Sequence, residues 1–414
     1  MQPIRTAEKH APQNAHWLPA ILCAAALVVM SGIAGCAVAP EPPYSPDGFA
    51  LIETLTDPVF SLAFAPDGKT LATGGGKWDR AEKNPLSCLP APIKLWDVAS
   101  LANPFVFQGE SRVSAGIIVS LAFIPEGRGL VSGGTSERYR GEGDFFSAAI
   151  RAFWIIGKKD FMIRDGAIYD ILPEQHVKKR LKEKRLNHLW QMALSPDGKS
   201  ATAAGGIEGL KIDDVDIFDT SGAEVMSKRF GEALNAPKKN GPKGHASCVT
   251  YAPDGKTLAS GGGSDQRVHW WKPSTGPDAE ATILATFQHD APVNRVGFTA
   301  DGKTLAAGDD GGALKLWDLD KKAERHTIKA HAGDVGALAV SPARPLVATG
   351  GPDKVVKLWD AATGKELASL PNQKGRIQAL AFSPDGKILA SSACDPFEKG
   401  EVRLWDVAKL LQAK

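Results

Sequence analysis

The chain has 414 residues, with 49 Lys and Arg against 47 Asp and Glu, and its formal net charge at pH 7 is +2. This near balance excludes any inference of a partner from overall charge. The length is sufficient for one large hydrophobic core, and the patterns along the chain leave no segment over for a second domain.

The first 35 residues have the pattern of a secretory signal peptide. Arg5 and Lys9 give the segment a basic start, and an apolar run follows at residues 17–29. A basic start before an apolar run of this length is typical of export signals. We therefore expect the mature protein to be exported.

The apolar region ends in Ile33-Ala34-Gly35-Cys36, which resembles the lipobox of bacterial lipoproteins. The resemblance implies cleavage before Cys36, lipidation of Cys36 and, because residue 37 is Ala, an outer-membrane lipoprotein facing the periplasm. Two alternatives remain open: an ordinary cleaved signal, and an uncleaved anchor, because the uncharged residues 17–39 could just span a bilayer. The Pro-rich residues 36–48 predict a stiff, extended tether.

From residue 49 onward a short motif returns seven times. It consists of a hydrophobic strand, a turn such as Ala65-Pro66-Asp67-Gly68, a strand of small residues, and a strand such as Lys94-Leu95-Trp96-Asp97. The turns lie at Asp67, Glu126, Asp197, Asp254, Asp301, Ala343 and Asp385, and the aromatic residues of the third strands are Trp96, Trp154, Phe218, Trp271, Trp317, Trp359 and Trp405. A repeat of roughly 40 residues with four short strands is typical of a β-propeller blade, which must stack on its neighbours to bury both faces.

These motifs resemble the WD-repeat (Trp-Asp) β-propeller family over residues 49–406. The resemblance implies an all-β, seven-bladed propeller at 49–408, followed by a C-terminal tail at 409–414. In this family the first strand completes the last blade, so residues 49–54 are expected to pair with residues 402–406. Such pairing closes the ring and removes exposed strand edges. We expect the ring to be monomeric.

The family's structural hydrogen-bond network can be transferred completely to one blade only, the sixth. The matching residues there are His331, Thr349, Asp353 and Trp359. The fifth blade keeps only His289 and Trp317 of this set. We interpret these residues as scaffold and not as catalytic groups, because a buried His needs partners for both ring nitrogens and the network supplies them.

Extra sequence is concentrated in loops that should open on the face opposite the Pro-Asp-Gly turns, called here the top face. The long insertions are residues 77–92, 135–148, 157–188, 207–213, 230–245 and 393–400. Binding residues usually lie on loops of a rigid scaffold, so this distribution predicts a top-face binding site. Neutral drift of loop length is the alternative.

One insertion is strongly basic, between Glu174 and Asn187. Its helix-forming composition, with Val177 and Leu181 four residues apart, predicts a short amphipathic helix. The partner-binding candidates on this and neighbouring loops are Lys158, Lys159, Lys178, Lys179, Arg180, Lys182, Lys184, Arg185, Lys238 and Lys239. They could dock an acidic protein or an anionic surface, or the helix could simply be solvated. The pattern does not favour nucleic acid, which needs a basic groove with interleaved aromatic residues.

Three of the five cysteines remain after Cys23 leaves with the signal peptide and Cys36 is lipidated. Cys248 is expected to be a small buried residue. Cys88 and Cys394 lie in equivalent loops of the first and last blades, which are neighbours at the closure of the ring. In an oxidising compartment the two could form a disulfide.

No motif for nucleophilic catalysis, haem attachment, zinc binding or phosphate binding occurs in the sequence, and no cofactor or metal is expected. The sequence therefore predicts a non-catalytic interaction scaffold or adaptor, tethered to the cell envelope. Two alternatives remain: a periplasmic propeller enzyme or small-ligand binder that uses the central channel, and a structural subunit that assembles envelope proteins.

Overall fold

The computed structural model describes residues 44–45, 49–52, 57–78, 88–89, 93–101, 105–107, 117–125, 129–136, 147–154, 188–206, 213–219, 228–229, 246–262, 266–273, 281–395 and 400–412. All of them belong to one compact unit that spans residues 41–414. The predicted signal peptide, Cys36 and all of the tether except Tyr44 and Ser45 lie outside these described residues.

The described part of the chain consists of short strands and one C-terminal helix. The first strands are β1 (Phe49–Ile52), β2 (Val59–Phe64), β3 (Thr70–Gly75), β4 (Lys77–Trp78), β5 (Cys88–Leu89), β6 (Ile93–Asp97), β7 (Phe105–Phe107), β8 (Ile118–Phe123), β9 (Gly129–Ser136), β10 (Ser147–Trp154), β11 (His188–Leu194), β12 (Ser200–Gly206), β13 (Asp213–Asp219) and β14 (Lys228–Arg229). The others are β15 (Ala246–Tyr251), β16 (Leu258–Gly262), β17 (Arg267–Lys272), β18 (Thr282–Gln288), β19 (Val293–Phe298), β20 (Thr304–Asp309), β21 (Ala313–Asp318), β22 (Ala323–Lys329), β23 (Ala337–Val340), β24 (Leu346–Gly350), β25 (Val356–Asp360), β26 (Glu366–Leu370), β27 (Ile377–Phe382), β28 (Ile388–Ala393) and β29 (Glu401–Asp406), and helix α1 is Val407–Gln412.

The strands form antiparallel sheets in the arrangement of a β-propeller. Six sheets have four strands: β2-β3-β6-β7, β11 to β14, β15 to β18, β19 to β22, β23 to β26, and β1-β29-β28-β27. The sheet β10-β9-β8 has three strands, and β4 and β5 form a separate two-stranded ladder. The prediction of seven blades is therefore corrected to six complete blades. The next described residue after Trp154 is His188, so the described residues hold no fourth strand for the β8 sheet.

Each sheet is named below by its innermost strand, namely β2, β8, β11, β15, β19, β23 or β27. These innermost strands lie side by side in chain order, and β27 lies beside β2. The first two strands of a sheet meet at the predicted Pro-Asp-Gly turn. In the β27 sheet, for example, the Ser383 hydroxyl donates to the Asp385 carboxylate at 2.6 Å and the Lys387 amide donates to it at 3.1 Å.

One turn glycine shows how neighbouring sheets fit together. Gly198 has φ +67°, a conformation that glycine adopts without steric cost, and a Cβ atom there would lie 2.7 Å from Cδ of Pro125 in the adjacent β8 sheet. A side chain at residue 198 would therefore strain its own backbone and also collide with the next turn.

The predicted closure by the N-terminal strand is confirmed. Strand β1 pairs antiparallel with β29, with Phe49 opposite Trp405 and Ile52 opposite Val402. The rings of Phe49 and Trp405 are 4.9 Å apart, and the Arg403 guanidinium lies 4.5 Å from the Phe49 ring centre. The two ends of the described chain thus complete one blade together.

Two details of the fold differ from the sequence-based expectation. The boundary predicted at residue 409 falls inside α1, whose Val407 and Leu410 are buried.

In the β8 sheet, Phe153 pairs with Leu130, as Trp96 pairs with Leu71 in the β2 sheet, whereas Trp154 pairs with Gly129. The third-strand aromatic position is therefore Phe153 and not Trp154. A shift of one residue matters because successive residues of a strand point to opposite faces of the sheet.

Candidate functional site

The top end of each innermost strand, opposite the Pro-Asp-Gly turns, carries a repeated irregularity. In six of the seven sheets the pairing register shifts by one residue near the start of that strand, after the first paired residue in five of them and after the second in β11. The extra residues are Phe60, Val119, Trp190, Ser247, Asn294 and Gln378. A bulge leaves its extra residue outside the ladder. Gly336 precedes β23 at the corresponding place, and we call these seven positions the top rim.

The top rim is apolar on one side and polar on the other. Phe60, Val119 and Trp190 come from three consecutive sheets, and Trp190 is 52% exposed. On the other side the Ser247 hydroxyl donates to the Val293 carbonyl at 2.6 Å. A large exposed aromatic residue on an otherwise rigid inner strand is typical of an interaction surface.

Hydrogen bonds and an ion pair orient the side chains on the polar side of the top rim. The Asn294 amide donates to the Asp310 carboxylate at 2.6 Å, and the Gln378 amide donates to the Cys394 carbonyl at 3.3 Å. Arg376 forms an ion pair with Asp334, and both are part-buried. The polar side is therefore a set of oriented groups at the start of the inner strands.

The predicted structural network of the sixth repeat is formed. Nδ1 of His331 is 3.0 Å from the Asp353 carboxylate, and Nε2 of His331 is 2.8 Å from the Thr349 hydroxyl. The Trp359 indole N–H donates to the same hydroxyl at 2.8 Å. Burial lowers the pKa of His331 and the charge of Asp353 opposes that shift. A neutral ring that donates from Nδ1 and accepts at Nε2 fits every one of these contacts.

The fifth repeat has only part of this arrangement. Nδ1 of His289 is 3.1 Å from the Asp309 carboxylate, both residues being buried. Ala307 pairs opposite Lys315 in β21, as Thr349 pairs opposite Lys357 in β25, so Ala307 stands where the hydroxyl would be. Nε2 of His289 and the indole nitrogen of Trp317 are accordingly both buried without a hydrogen-bond partner.

The predicted disulfide is absent from this structure, because Cys394 is a free thiol. The Cys394 sulfur lies 3.8 Å from the Val59 carbonyl, against the innermost strand of the neighbouring β2 sheet. Cys88 pairs opposite Trp78 in the two-stranded ladder, and its side chain lies outside the described residues. Cys248 is fully buried, as predicted.

All ten basic partner-binding candidates, from Lys158 to Lys239, lie outside the described residues, as do most of the long insertions. Within the described part of the chain no cluster of His, Cys, Asp or Glu could hold a metal ion. The helix described there is too short to cross a bilayer.

Comparisons with known proteins agree with this geometry. A family model of the WD domain, G-beta repeat, matches residues 49–80, 238–272, 281–318, 322–360 and 364–406. Angio-associated migratory cell protein from Homo sapiens is 32% identical over 103 residues, which are 25% of this chain and 22% of that protein. WD repeat-containing protein 55 from Mus musculus is 28% identical over 147 residues, 36% of this chain and 34% of that protein. The chain thus spans about a fifth to a third of the length of these relatives.

The chain thus contains five matched WD repeats and has an all-β propeller fold. The sequence motifs located the buried network but not the top rim. An alignment of the repeats on their innermost strands could have shown the top rim. At the rim position the residue is apolar in three repeats, at Phe60, Val119 and Trp190, and polar or glycine in the other four.

Proposed function

We propose that this chain is a non-catalytic protein-interaction scaffold or adaptor that binds its partner through the top face of the propeller. Cys36 carries a lipid that tethers the protein to the periplasmic side of a membrane, and the ring is monomeric. WD-repeat propellers typically act as scaffolds for other proteins, which supports the proposed scaffold function.

The single observation that carries the proposal is the exposure of Trp190 on the top rim. Trp190 lies within β11 as the bulge residue between Leu189 and Gln191, which both pair with β12, so paired residues flank it on both sides. Tryptophan is among the residues that contribute most to interface affinity when a partner covers them. A partner that covered Trp190 would also reach the partly exposed Phe60 and Val119 on the same side.

The basic insertion indicates that the proposed partner is acidic. The segment from Glu174 to Asn187 precedes β11 in the chain and contains six Lys and Arg residues. An acidic protein would be steered towards such a segment at long range. Apolar contact at Trp190 would then hold the partner, and the charges would set its approach.

The test is crosslinking in native membranes, followed by identification and quantification of the captured protein. We expect one stoichiometric partner with the wild type and a loss of about thirtyfold in its affinity in Trp190→Ala, which corresponds to about 2 kcal/mol. Deletion of residues 157–188 is expected to slow association mainly at low salt. Phe105→Ala is the matched control, because Phe105 is also exposed, by 49%, but lies on the outer strand β7.

Unchanged capture by Trp190→Ala would exclude the top rim as the contact. Capture of no protein by the wild type would contradict the scaffold function itself. Release of the protein from membranes by Cys36→Ala, without a change in partner affinity, is expected if the lipid acts only as a tether.

A further inference from the structure

Arg295 lies next to Asn294 of the top rim and has an incomplete set of partners. Its Nη1 donates to the backbone carbonyl of Asn294 at 2.8 Å. Among the described residues no carboxylate forms an ion pair with it, although Arg325 and Arg376 each have one. The residue as a whole is partly exposed.

A second arginine, Arg376, directly precedes β27, and its charge acts on Arg295. Arg376 crosses over Gly336, where a Cβ atom would lie 2.8 Å from Nη2 of Arg376 and 3.2 Å from the Asp334 carboxylate. Only a residue without a side chain leaves that space, and Gly336 is the one top-rim position that is glycine. The missing side chain in the β23 sheet thus lets the Arg376 guanidinium lie above the inner strands.

The electrostatics leave this region with positive charge. Burial is the largest cause of the lowered pKa of Arg295. Cys248 raises this pKa, and the charge of Arg376 lowers it further. Cys248 does not neutralise Arg295, because burial raises the pKa of that thiol to about 12 and it is uncharged at neutral pH. Asp334 raises the pKa of Arg295, but its carboxylate already forms an ion pair with Arg376.

We propose that Arg295 and Arg376 form an anion-binding site at the top rim, which takes a carboxylate or a phosphate group. A partly buried guanidinium without a counter-ion is costly, and a ligand oxygen would supply the missing charge. The planar fork of arginine donates two parallel hydrogen bonds to either group. Asp334 holds the Arg376 side chain over Gly336 and leaves one net positive charge, which favours a single anionic group.

The site does not require the proposed protein partner. Its ligand group could belong to a free small anion, or to an acidic side chain that a bound protein inserts at the top rim. Both sources present the same oxygen atoms to the two guanidinium groups, so experiments with isolated anions test the site and experiments with acidic peptides identify the source.

The experiment measures thermal stability of the full chain while inorganic phosphate or acetate replaces chloride at constant ionic strength. A ligand that binds only the folded state raises the unfolding temperature in a saturable way. We expect this rise in the wild type, and we expect apparent binding at least about tenfold weaker in Arg295→Gln, because a charge-assisted hydrogen bond is lost.

Two further variants and one control make the result independent of any folding defect. Gln191 occupies in β11 the position that Arg295 occupies in β19, so the sheet geometry accommodates glutamine there. Gly336→Ala is expected to displace Arg376 and to weaken binding while Arg295 is kept, and Arg376→Gln should do the same. The control Arg325→Gln removes an equal charge on the outer strand β22, where Arg325 pairs with Asp318 at 2.8 Å.

The site is supported by a saturable rise of the unfolding temperature in the wild type and in Arg325→Gln. The rise must be reduced in Arg295→Gln, Gly336→Ala and Arg376→Gln. An acidic peptide that competes with phosphate would assign the anion to a protein partner, and phosphate binding without peptide binding would assign it to a free anion. Equal responses of the wild type and Arg295→Gln to both anions and to the peptide would overturn the proposal. That result would leave the Trp190 contact untouched.

Discussion

The Trp359 indole nitrogen donates to the Thr349 hydroxyl at 2.8 Å inside the β23 sheet. The same relationship occurs in three other sheets, between Trp96 and Thr73, Trp271 and Ser260, and Trp405 and Ser391, at 2.9 to 3.2 Å. Among the five sheets with a Trp at this position, the β19 sheet is the exception, because Ala307 replaces the hydroxyl. This comparison inside one molecule predicts the effect of restoring the hydroxyl.

Ala307→Thr is expected to stabilise the protein by about 1–2 kcal/mol. The new hydroxyl can accept from the Trp317 indole nitrogen and donate to Nε2 of His289, which are both buried without a partner, and each buried hydrogen bond contributes about 1 kcal/mol. Urea unfolding of the two proteins gives the difference in free energy. Thr349→Ala, the reverse change, should cost about 1–3 kcal/mol because it leaves two buried groups unsatisfied. A destabilised Ala307→Thr would show that the site has no room for the larger side chain.

The buried His331 predicts a loss of stability on mild acidification. Burial and Lys357 lower its pKa below 6.5, while Asp353 opposes them. Since the unfolded chain then binds more protons than the folded one, the free energy of unfolding falls as the pH drops below about 6.5. One group contributes at most about 1.4 kcal/mol per pH unit.

The comparison of wild type with His331→Gln between pH 7.5 and 5 isolates this contribution. The variant is expected to be less stable at pH 7.5 and to lose less stability on acidification. Carboxylates with a lowered pKa, such as Asp309 and Asp318, act at lower pH because their ordinary value is 3.8. Parallel pH profiles of the two proteins would show that His331 does not titrate in this window.

The sequence predicted the features that depend on residue type and spacing within a repeat. The closing pair of Phe49 and Trp405 follows from the offset of repeat and blade, and the His331 network follows from its four matching residues. Trp154 was assigned wrongly because the motif marks an aromatic-rich strand but not the pairing register, which shifts the position to Phe153.

The top rim could not be predicted in this way because it depends on contacts between repeats. Arg295 and Arg376 are 81 positions apart in the chain and belong to the β19 and β27 sheets. Their approach depends on the β23 sheet, which lies between them and has a glycine at position 336. Neither arginine belongs to a motif, and their significance appears only when the inner strands lie side by side. The sequence could not show that Cys394 is a free thiol in this structure for a related reason, since loop equivalence does not place the sulfur atom.

The two described free cysteines are expected to be unreactive in the folded protein. Burial raises the pKa of Cys248 and of Cys394 to about 12 in each case, and the thiolate is the reactive form. A thiol reagent at pH 8 should therefore modify neither residue until the protein is unfolded by urea. Mass spectrometry of modified peptides checks each cysteine separately. Failure of Cys394 to react after unfolding without reductant would restore the disulfide as the correct assignment.

Closure of the propeller predicts the cost of weakening its last contact. Phe49→Ala removes a ring that lies against Trp405 and the Arg403 guanidinium. We expect a loss of about 1–3 kcal/mol in the free energy of unfolding, because Phe49 is only partly buried and the cost of truncation falls with exposure. Phe49→Leu should lose less than half of that amount, since it keeps most of the apolar contact. Phe105→Ala, on the outer strand of the neighbouring sheet, should change stability by under about 0.5 kcal/mol. A cost for Phe49→Ala no larger than that of Phe105→Ala would show that the paired backbone of β1 and β29, and not the aromatic contact, closes the structure.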